Sequence, residues 1–239
     1  MSELEVIGRA RLFEQLTKEQ TERVWQLLTP ARKRLYKDDV IVEDGQMVSF
    51  CGIVEKGSLA ASKLYADGYL SLMLKFAPAY TLGMDIAATK TKVSTYYVSA
   101  LTDSVVWIFD YDKIAKPGTL PQAERLLIME SLLALVAGEN LRKMNKIEIL
   151  SRKGSRERIM TFLAFESSFY RSSEFDVPYN REEMASFLCL NRSRLSHELS
   201  LMRQEGILDY DKNHFKILEE DWVSSDEVKR LADSVINYY

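Results

Sequence analysis

Apolar positions change rhythm along this 239-residue chain. Over residues 7–28 they recur at helical spacing (Leu12, Phe13, Leu16, Val24, Trp25, Leu27, Leu28), and Thr17 can cap a helix beginning KEQTERVWQLL. From Lys33 the pattern turns to short apolar runs separated by turn signals. Val40-Ile41-Val42 precedes Glu43-Asp44-Gly45, and residues 50–54 precede Lys56-Gly57. Residues 59–65 precede Ala66-Asp67-Gly68, and residues 69–76 precede Pro78. After Gly83 comes a polar patch, 87–95, then apolar Tyr96-Tyr97-Val98 and 105–109. Strands of this length and spacing predict an antiparallel β-barrel or jelly roll.

Pro117, Gly118 and Pro121 then punctuate, and from Gln122 the pattern predicts one proline-free helix of about thirty residues. Leu126, Met129, Leu133, Val136, Leu141, Met144 and Ile147 recur along it. Its middle, ESLLALVAG, is apolar nearly all round, so it needs a partner: its own barrel, the same helix of a second chain, or both. Gly154 breaks that helix within 151–155, and SRERIMTFLAF starts another. Ser172-Ser173-Glu174 and Pro178 read as a loop. A last helix, capped at Ser224-Ser225-Asp226-Glu227, carries the stripe Val228, Leu231, Ala232, Val235, Ile236 and Tyr239. The division this predicts is α+β: 1–120 a barrel domain with N-terminal helices, 121–150 a long helix, 151–239 a C-terminal domain.

The most specific stretch is YNREEMASFLCLNRSRLSHELSLMRQEGIL. Asn180 and Glu183 form a capping box for a short helix whose apolar face is Met184, Phe187 and Leu188. Cys189 and Leu190 carry a turn, and Asn191 can cap the next helix. There Leu195, Leu199 and Met202 make the inward stripe, leaving Arg192, Ser193, Arg194, Ser196 and His197 outward. Gly206 closes the helix and 209–217 reads as a hairpin. This is the layout of a winged helix-turn-helix, and an outward Arg/Ser face suits a major groove. Periodicity alone leaves open a plain helical hairpin with solvated arginines.

Composition narrows the field. Hydrophobic residues make 46% and charged residues 28% of the chain, enough to bury a core. The net charge is −3, so any contact with nucleic acid must be local. Around the second helix Arg192, Arg194 and Arg203 oppose only Glu198 and Glu205. Cys51 and Cys189 lie far apart, which argues against a disulfide framework or a metal site and suits a reducing cytosol. The first residues hold charges throughout and no signal segment, and no apolar run is long enough to span a membrane. The chain has no P-loop, GxSxG or HExxH, and Asp85 and Asp103 are isolated acids, so no enzyme is expected. The alternative at this point is a small-molecule-binding or enzymatic barrel without DNA binding.

The order of elements resembles the Crp/Fnr family of bacterial transcription regulators over nearly the whole chain. The residues that carry the resemblance are Leu12-Phe13, Asp39-Val40-Ile41 with Gly45, Ile53-Val54-Glu55-Lys56-Gly57 and Leu82-Gly83. Further along they are Arg156, Arg158, Ile159, Phe162-Leu163, Asn180-Arg181-Glu182-Glu183-Met184-Ala185, Asn191-Arg192-Ser193-Arg194-Leu195-Ser196 and Gly206-Ile207-Leu208. The resemblance implies a cytoplasmic homodimer paired along the long helices, with a cyclic-nucleotide-binding-like sensory barrel. It implies double-stranded DNA, at a near-palindromic operator, and RNA polymerase as partners. Arg192, Ser193 and His197 match the family's base-reading positions, Arg181 and Asn191 would sit near phosphate, and Arg194 belongs to the same face.

The signal departs from the family's pattern. Cyclic-nucleotide-binding members carry Gly-Glu-Leu and, later, an Arg for the cyclic phosphate. Here Gly83 is followed by Met84-Asp85-Ile86, and the place of that Arg falls near Ser94-Thr95. A phosphate there would lack its bidentate partner, even with Lys90 and Lys92 close in sequence, so cyclic AMP is not expected. The iron–sulfur branch is excluded because the first cysteine is Cys51. Haem is not expected because His197 and His214 both lie in the C-terminal part. No cofactor or metal is expected. The candidate effector residues are Gly83, Met84, Asp85, Ser94, Thr95 and Tyr97, for an uncharged or weakly acidic ligand, with Tyr80, Tyr96 and Trp107 nearby. The competing reading is that the aromatics fill the core. Cys51 reads as a core strand residue and Cys189 as a small packed hydrophobe.

Overall fold

A computed structural model describes residues 3–219. The helix expected from Ser224 onward lies outside the described residues. The chain divides into two compact units, Met1–Val136 and Ala137–Tyr239, with the division inside the long helix.

The first unit begins with α1 (Glu3–Arg9), a 3-10 turn (Arg11–Phe13) and α2 (Lys18–Leu28). The helical region expected over 7–28 is thus divided, and its second helix begins where Thr17 was expected to cap it. Thr17 caps α2 by a reciprocal box, its Oγ1 accepting from the Gln20 N–H at 3.2 Å while Gln20 Oε1 accepts from the Thr17 N–H at 2.9 Å. A cap needs extended backbone, so a helix cannot run through it.

Eight strands follow: β1 (Ala31–Leu35), β2 (Val40–Val42), β3 (Phe50–Lys56), β4 (Leu59–Leu64), β5 (Leu70–Phe76), β6 (Thr81–Leu82), β7 (Tyr97–Ala100) and β8 (Ser104–Asp110). They pair antiparallel in two four-stranded sheets, β1-β8-β3-β6 and β2-β7-β4-β5. That is a jelly roll, two facing sheets rather than one closed ring. Strand β1 was not among the expected strands. Its sequence, ARKRL, is polar, and the first four residues are exposed on a sheet edge. Charge on an edge blocks pairing with other chains. Arg32 holds it to β3 with two bonds to Glu55, at 2.8 and 2.6 Å.

The continuous apolar runs of β3 and β8 have a simple cause: both faces of their sheet are covered. Val54 and Val106 face the sandwich interior with Leu35, Leu59, Phe76 and Val98. Cys51, Ile53 and Phe109 face the helical layer with Leu12, Trp25, Ile128 and Leu132. Trp25 centres that layer, edge-on to Phe13, Trp107 and Phe109 at 6.1, 5.7 and 6.0 Å between rings. Gly57, at φ 84°, turns β3 into β4, and a Cβ there would meet the Asp103 carbonyl at 2.5 Å. The turn therefore requires glycine.

Short helices α3 (Met84–Ala87) and α4 (Asp112–Ala115) lead to α5 (Gln122–Ser151), the 30-residue helix the apolar pattern called for. Four of its large apolar side chains stay exposed: Leu126 at 52%, Leu133 at 71%, Met144 at 55% and Ile147 at 61%.

The second unit carries α6 (Ser155–Tyr170), β9 (Glu174–Asp176), α7 (Arg181–Phe187), α8 (Arg192–Gln204), β10 (Leu208–Asp211) and β11 (His214–Ile217). The strands form one sheet, β10-β11-β9, so part of the expected loop at 172–178 is a third strand beside the hairpin. Strand β9 has one buried residue, Phe175, between two exposed acids, too short a pattern to register as a strand. Behind the helices lie Ile159, Phe162, Leu163, Met184, Leu195, Leu199 and Met202, all at 1% exposure or less. Tyr179 stacks on Phe187 at 4.9 Å, and both rings touch Phe162.

Candidate nucleic-acid interface

Two caps aim the paired helices. At α7 the Asn180 Oδ1 accepts the N–H groups of Glu182 and Glu183 at 3.0 and 2.9 Å, while Glu183 Oε2 accepts the Asn180 N–H at 3.0 Å. At α8 the Asn191 Oδ1 accepts the Arg194 N–H at 2.7 Å. Between them Cys189 turns the chain at φ 53°, a left-handed conformation. Such a tight turn fixes the angle between the helices before any packing is counted.

The register this imposes on α8 matches the stripe read from sequence. Leu195, Leu199 and Met202 are fully buried. Asn191, Arg192, Ser193, Arg194, Ser196 and His197 are exposed. Their engagement differs. Ser193 Oγ donates to Asn191 Oδ1 at 2.9 Å. Arg194 is divided between Glu198, at 2.9 Å, and the Ser155 hydroxyl, at 3.2 Å. The side chains of Arg192 and His197 make no hydrogen bond or ion pair with another described residue, and both are exposed.

Pairing corrects the charge balance expected for this surface. Glu198, counted among the acids of the helix, is 7% exposed and lies against Arg194. Arg203 pairs with Asp209 at 2.6 Å, and Arg156 holds Glu205 through both nitrogens of its fork. The basic surplus of the α8 face thus narrows to Arg192. Partners brought in by the fold from β10 and α6 are invisible to a count along one helix.

Arg181 sits differently from the others. It is half-buried, its guanidinium lies 4.9 Å from the Tyr210 ring and 5.6 Å from the Phe215 ring, and its Nη2 donates to the Lys212 carbonyl at 3.0 Å. Burial, with Arg192 also close, pushes its pKa down. In the hairpin, His214 stands between Glu174 and Asp176, 3.1 Å from each, and these acids raise its pKa.

Of the candidate effector residues, all in the first unit, Asp85 and Ser94 are both bonded to Tyr96. Gly83 turns at φ 82°, where a Cβ would meet the Phe50 carbonyl at 2.7 Å. Met84 is buried in the helical layer. Asp85 accepts the Tyr96 hydroxyl on both carboxylate oxygens at 2.9 Å. Ser94 is 1% exposed and donates to the Tyr96 carbonyl at 2.7 Å. Thr95 is exposed, its carbonyl accepting from Lys63 at 2.6 Å. Tyr97, half-buried, lies in β7 opposite Ser62. Lys92 pairs with Asp112 at 3.1 Å. The Asp85–Tyr96 pair had no signal in the chain, since eleven residues and a turn separate the partners. Cys51 is a packed core residue, and burial pushes its thiol up to about 12. Among the described residues no group of three His, Cys, Asp or Glu side chains could hold a metal ion. No helix among them is long and apolar enough to cross a membrane.

Comparison with known proteins bears on both units. Residues 157–222 match the model of a Crp-like helix-turn-helix domain. A probable transcriptional activator of Rhizobium leguminosarum bv. viciae is 24% identical over 210 residues, covering 85% of this chain and 82% of that one. The transcriptional activator protein FnrA of Stutzerimonas stutzeri is 22% identical, covering 77% and 75%. Among solved structures, FixK2 from Bradyrhizobium japonicum superposes with a TM-score of 0.63 at 20% identity, covering 86% of this chain and 97% of that one. The c-di-GMP responsive global regulator CLP of Xanthomonas campestris does so at 0.66 and 15% identity, covering 85% and 100%. At these identities the structures show a shared fold.

Proposed function

We propose that this chain is a DNA-binding transcription regulator of the Crp/Fnr family. In our reading it is a cytoplasmic homodimer without enzymatic activity. Residues 1–120 are its sensory part, 121–150 its dimerisation helix and 151–239 its DNA-binding part. Support for the dimer comes from α5, whose Leu126, Leu133, Met144 and Ile147 are exposed apolar side chains not covered by the described residues. A facing copy of the same helix would bury them.

The two α8 helices then enter successive major grooves of a near-palindromic operator, about 34 Å apart. Arg192 reads a base edge, with guanine the natural partner for a bidentate guanidinium. His197 and Ser193 add contacts on the same face, Ser193 by giving up its bond to Asn191. Asn191 stays near phosphate as the cap. Arg194 is held by Glu198 and Ser155 and contributes less. RNA polymerase is the partner that a bound regulator would meet. The observation that carries this reading is the free Arg192 at the first turn of a helix whose opposite face is fully buried.

For the sensory part we infer a signal other than cyclic AMP. Ser94, near the place where the family's phosphate-binding arginine would fall, is committed to Tyr96. A ligand of this unit would have to be uncharged or weakly acidic.

The test is a footprint on the protein's own upstream DNA. Arg192→Ala should keep the fold and lose about tenfold or more in discrimination between operator and random duplex, the value of one bidentate base contact. An equally sharp footprint from the variant would show that α8 is not the reading helix.

A further inference from the structure

Arg181 resembles a family phosphate contact by position, yet the fold uses it otherwise. It opens α7, and its guanidinium packs on the hairpin. The flat group lies over Tyr210, from β10, and Phe215, from β11, and donates across to the carbonyl of Lys212. Lys212 is the first of the two turn residues between those strands, at φ 53°. Phe215 is fully buried and pairs with Phe175 of β9, so the platform under Arg181 is anchored in the three-stranded sheet. Arg203, from α8, grips the same hairpin from a second helix, over Tyr210 at 5.3 Å and on Asp209 at 2.6 Å.

We propose that Arg181 is a clamp for the wing: a positioning residue that locks the β10–β11 hairpin against α7 and thereby presents its exposed tip residue, Lys212, to the DNA backbone. The two rings and the carbonyl fix the plane and direction of the guanidinium, and it is this placement, rather than its charge, that the clamp uses. Lys212 is exposed and without an ion pair among the described residues, so its ammonium is free to meet phosphate. This inference rests on the DNA-binding reading above, and its test separates the two.

The full-length chain is used, as wild type, Arg181→Lys, Arg181→Ala, Lys212→Ala and the Arg181→Ala/Lys212→Ala pair. Hydrogen exchange is read first, without DNA. A clamp predicts that both Arg181 variants speed exchange of the hairpin amides about tenfold, with α7 and α8 unchanged, because lost local contacts lower the local opening energy. Operator binding is read second. A clamp predicts that Arg181→Lys weakens binding as much as Arg181→Ala, roughly tenfold, since lysine keeps the charge but not the planar stack. It further predicts that Arg181→Ala costs less than about threefold once Lys212 is already alanine, because the two act as one unit. If Arg181→Lys binds like wild type, hairpin exchange is unchanged and the two alanine effects multiply, Arg181 contacts phosphate and the clamp is wrong. If the wild type shows no sequence-dependent binding while hairpin exchange still rises in both variants, the clamp stands and the assigned DNA face fails.

Discussion

The α8 face and the 83–97 segment each carry a run of polar side chains, but they hold them in opposite ways. On α8 the burden of holding the helix falls on its back: Leu195, Leu199 and Met202 are fully buried, so Arg192 and His197 can face solvent uncommitted. In 83–97 the polar groups hold one another. Tyr96 is bonded to Asp85 through its hydroxyl and to Ser94 through its carbonyl, and Lys63 takes the Thr95 carbonyl. A face that reads an external partner keeps donors free; a segment that closes on itself spends them. On the proposed function, the first arrangement suits recognition of a partner and the second suits holding the segment's own fold.

The largest effect should come from the core behind α8. Phe162 is 1% exposed and touches both Tyr179 and Phe187, so Phe162→Ala should cost about 3 to 5 kcal/mol. Urea unfolding followed by tyrosine fluorescence and circular dichroism would show it. A loss under 1 kcal/mol would mean that the exposed face is not being held from behind.

A smaller effect sharpens the other half of the contrast. Tyr96→Phe removes the hydroxyl that binds both Asp85 oxygens and should destabilise the first unit by about 1.5 kcal/mol, a charge-assisted bond's ordinary worth. Operator affinity should stay within about twofold of wild type, the scatter left by independent sites. A large loss of DNA binding at unchanged stability would instead make Asp85–Tyr96 part of the signalling path.

The smallest effect lies in the hairpin. His214 is raised above its ordinary value by Glu174 and Asp176. A raised histidine stabilises the fold fully below the unfolded value of about 6.5 and loses that contribution as pH climbs through the raised folded value. Glu174, lowered by His214 and Lys216, loses its share in the opposite direction, as pH falls through its lowered value. Denaturation midpoints of wild type and His214→Gln should therefore differ at pH 6 and converge at pH 9. Parallel curves at both pH values would remove the ion pair from the account.

What the chain revealed in advance follows the same division. The caps Thr17, Asn180 and Asn191, the stripe Leu195-Leu199-Met202 and the 30-residue α5 are local, and local chemistry decided them. What it hid depends on partners distant in sequence. Strand β1 has the composition of a solvated loop until β8 pairs with it and Glu55 holds Arg32. Glu198 enters a charge count along the helix without showing that it is buried against Arg194. Arg181 looks like a surface cation until the hairpin, about thirty residues later, folds under it. Helical periodicity assigns a side chain to a face; it does not say what else the fold brings to that face.

The central claim is that two copies of the outward α8 face sit in successive major grooves. Ser196, exposed on that face, offers the most direct probe. An iron chelate tethered to Ser196→Cys, in a Cys189→Ala background, cleaves whatever backbone lies beside α8. The account predicts two clusters of cuts on the operator, their centres about one duplex turn, or 10 base pairs, apart. A single cluster, or cuts scattered along DNA that the protein nonetheless retains, would contradict it.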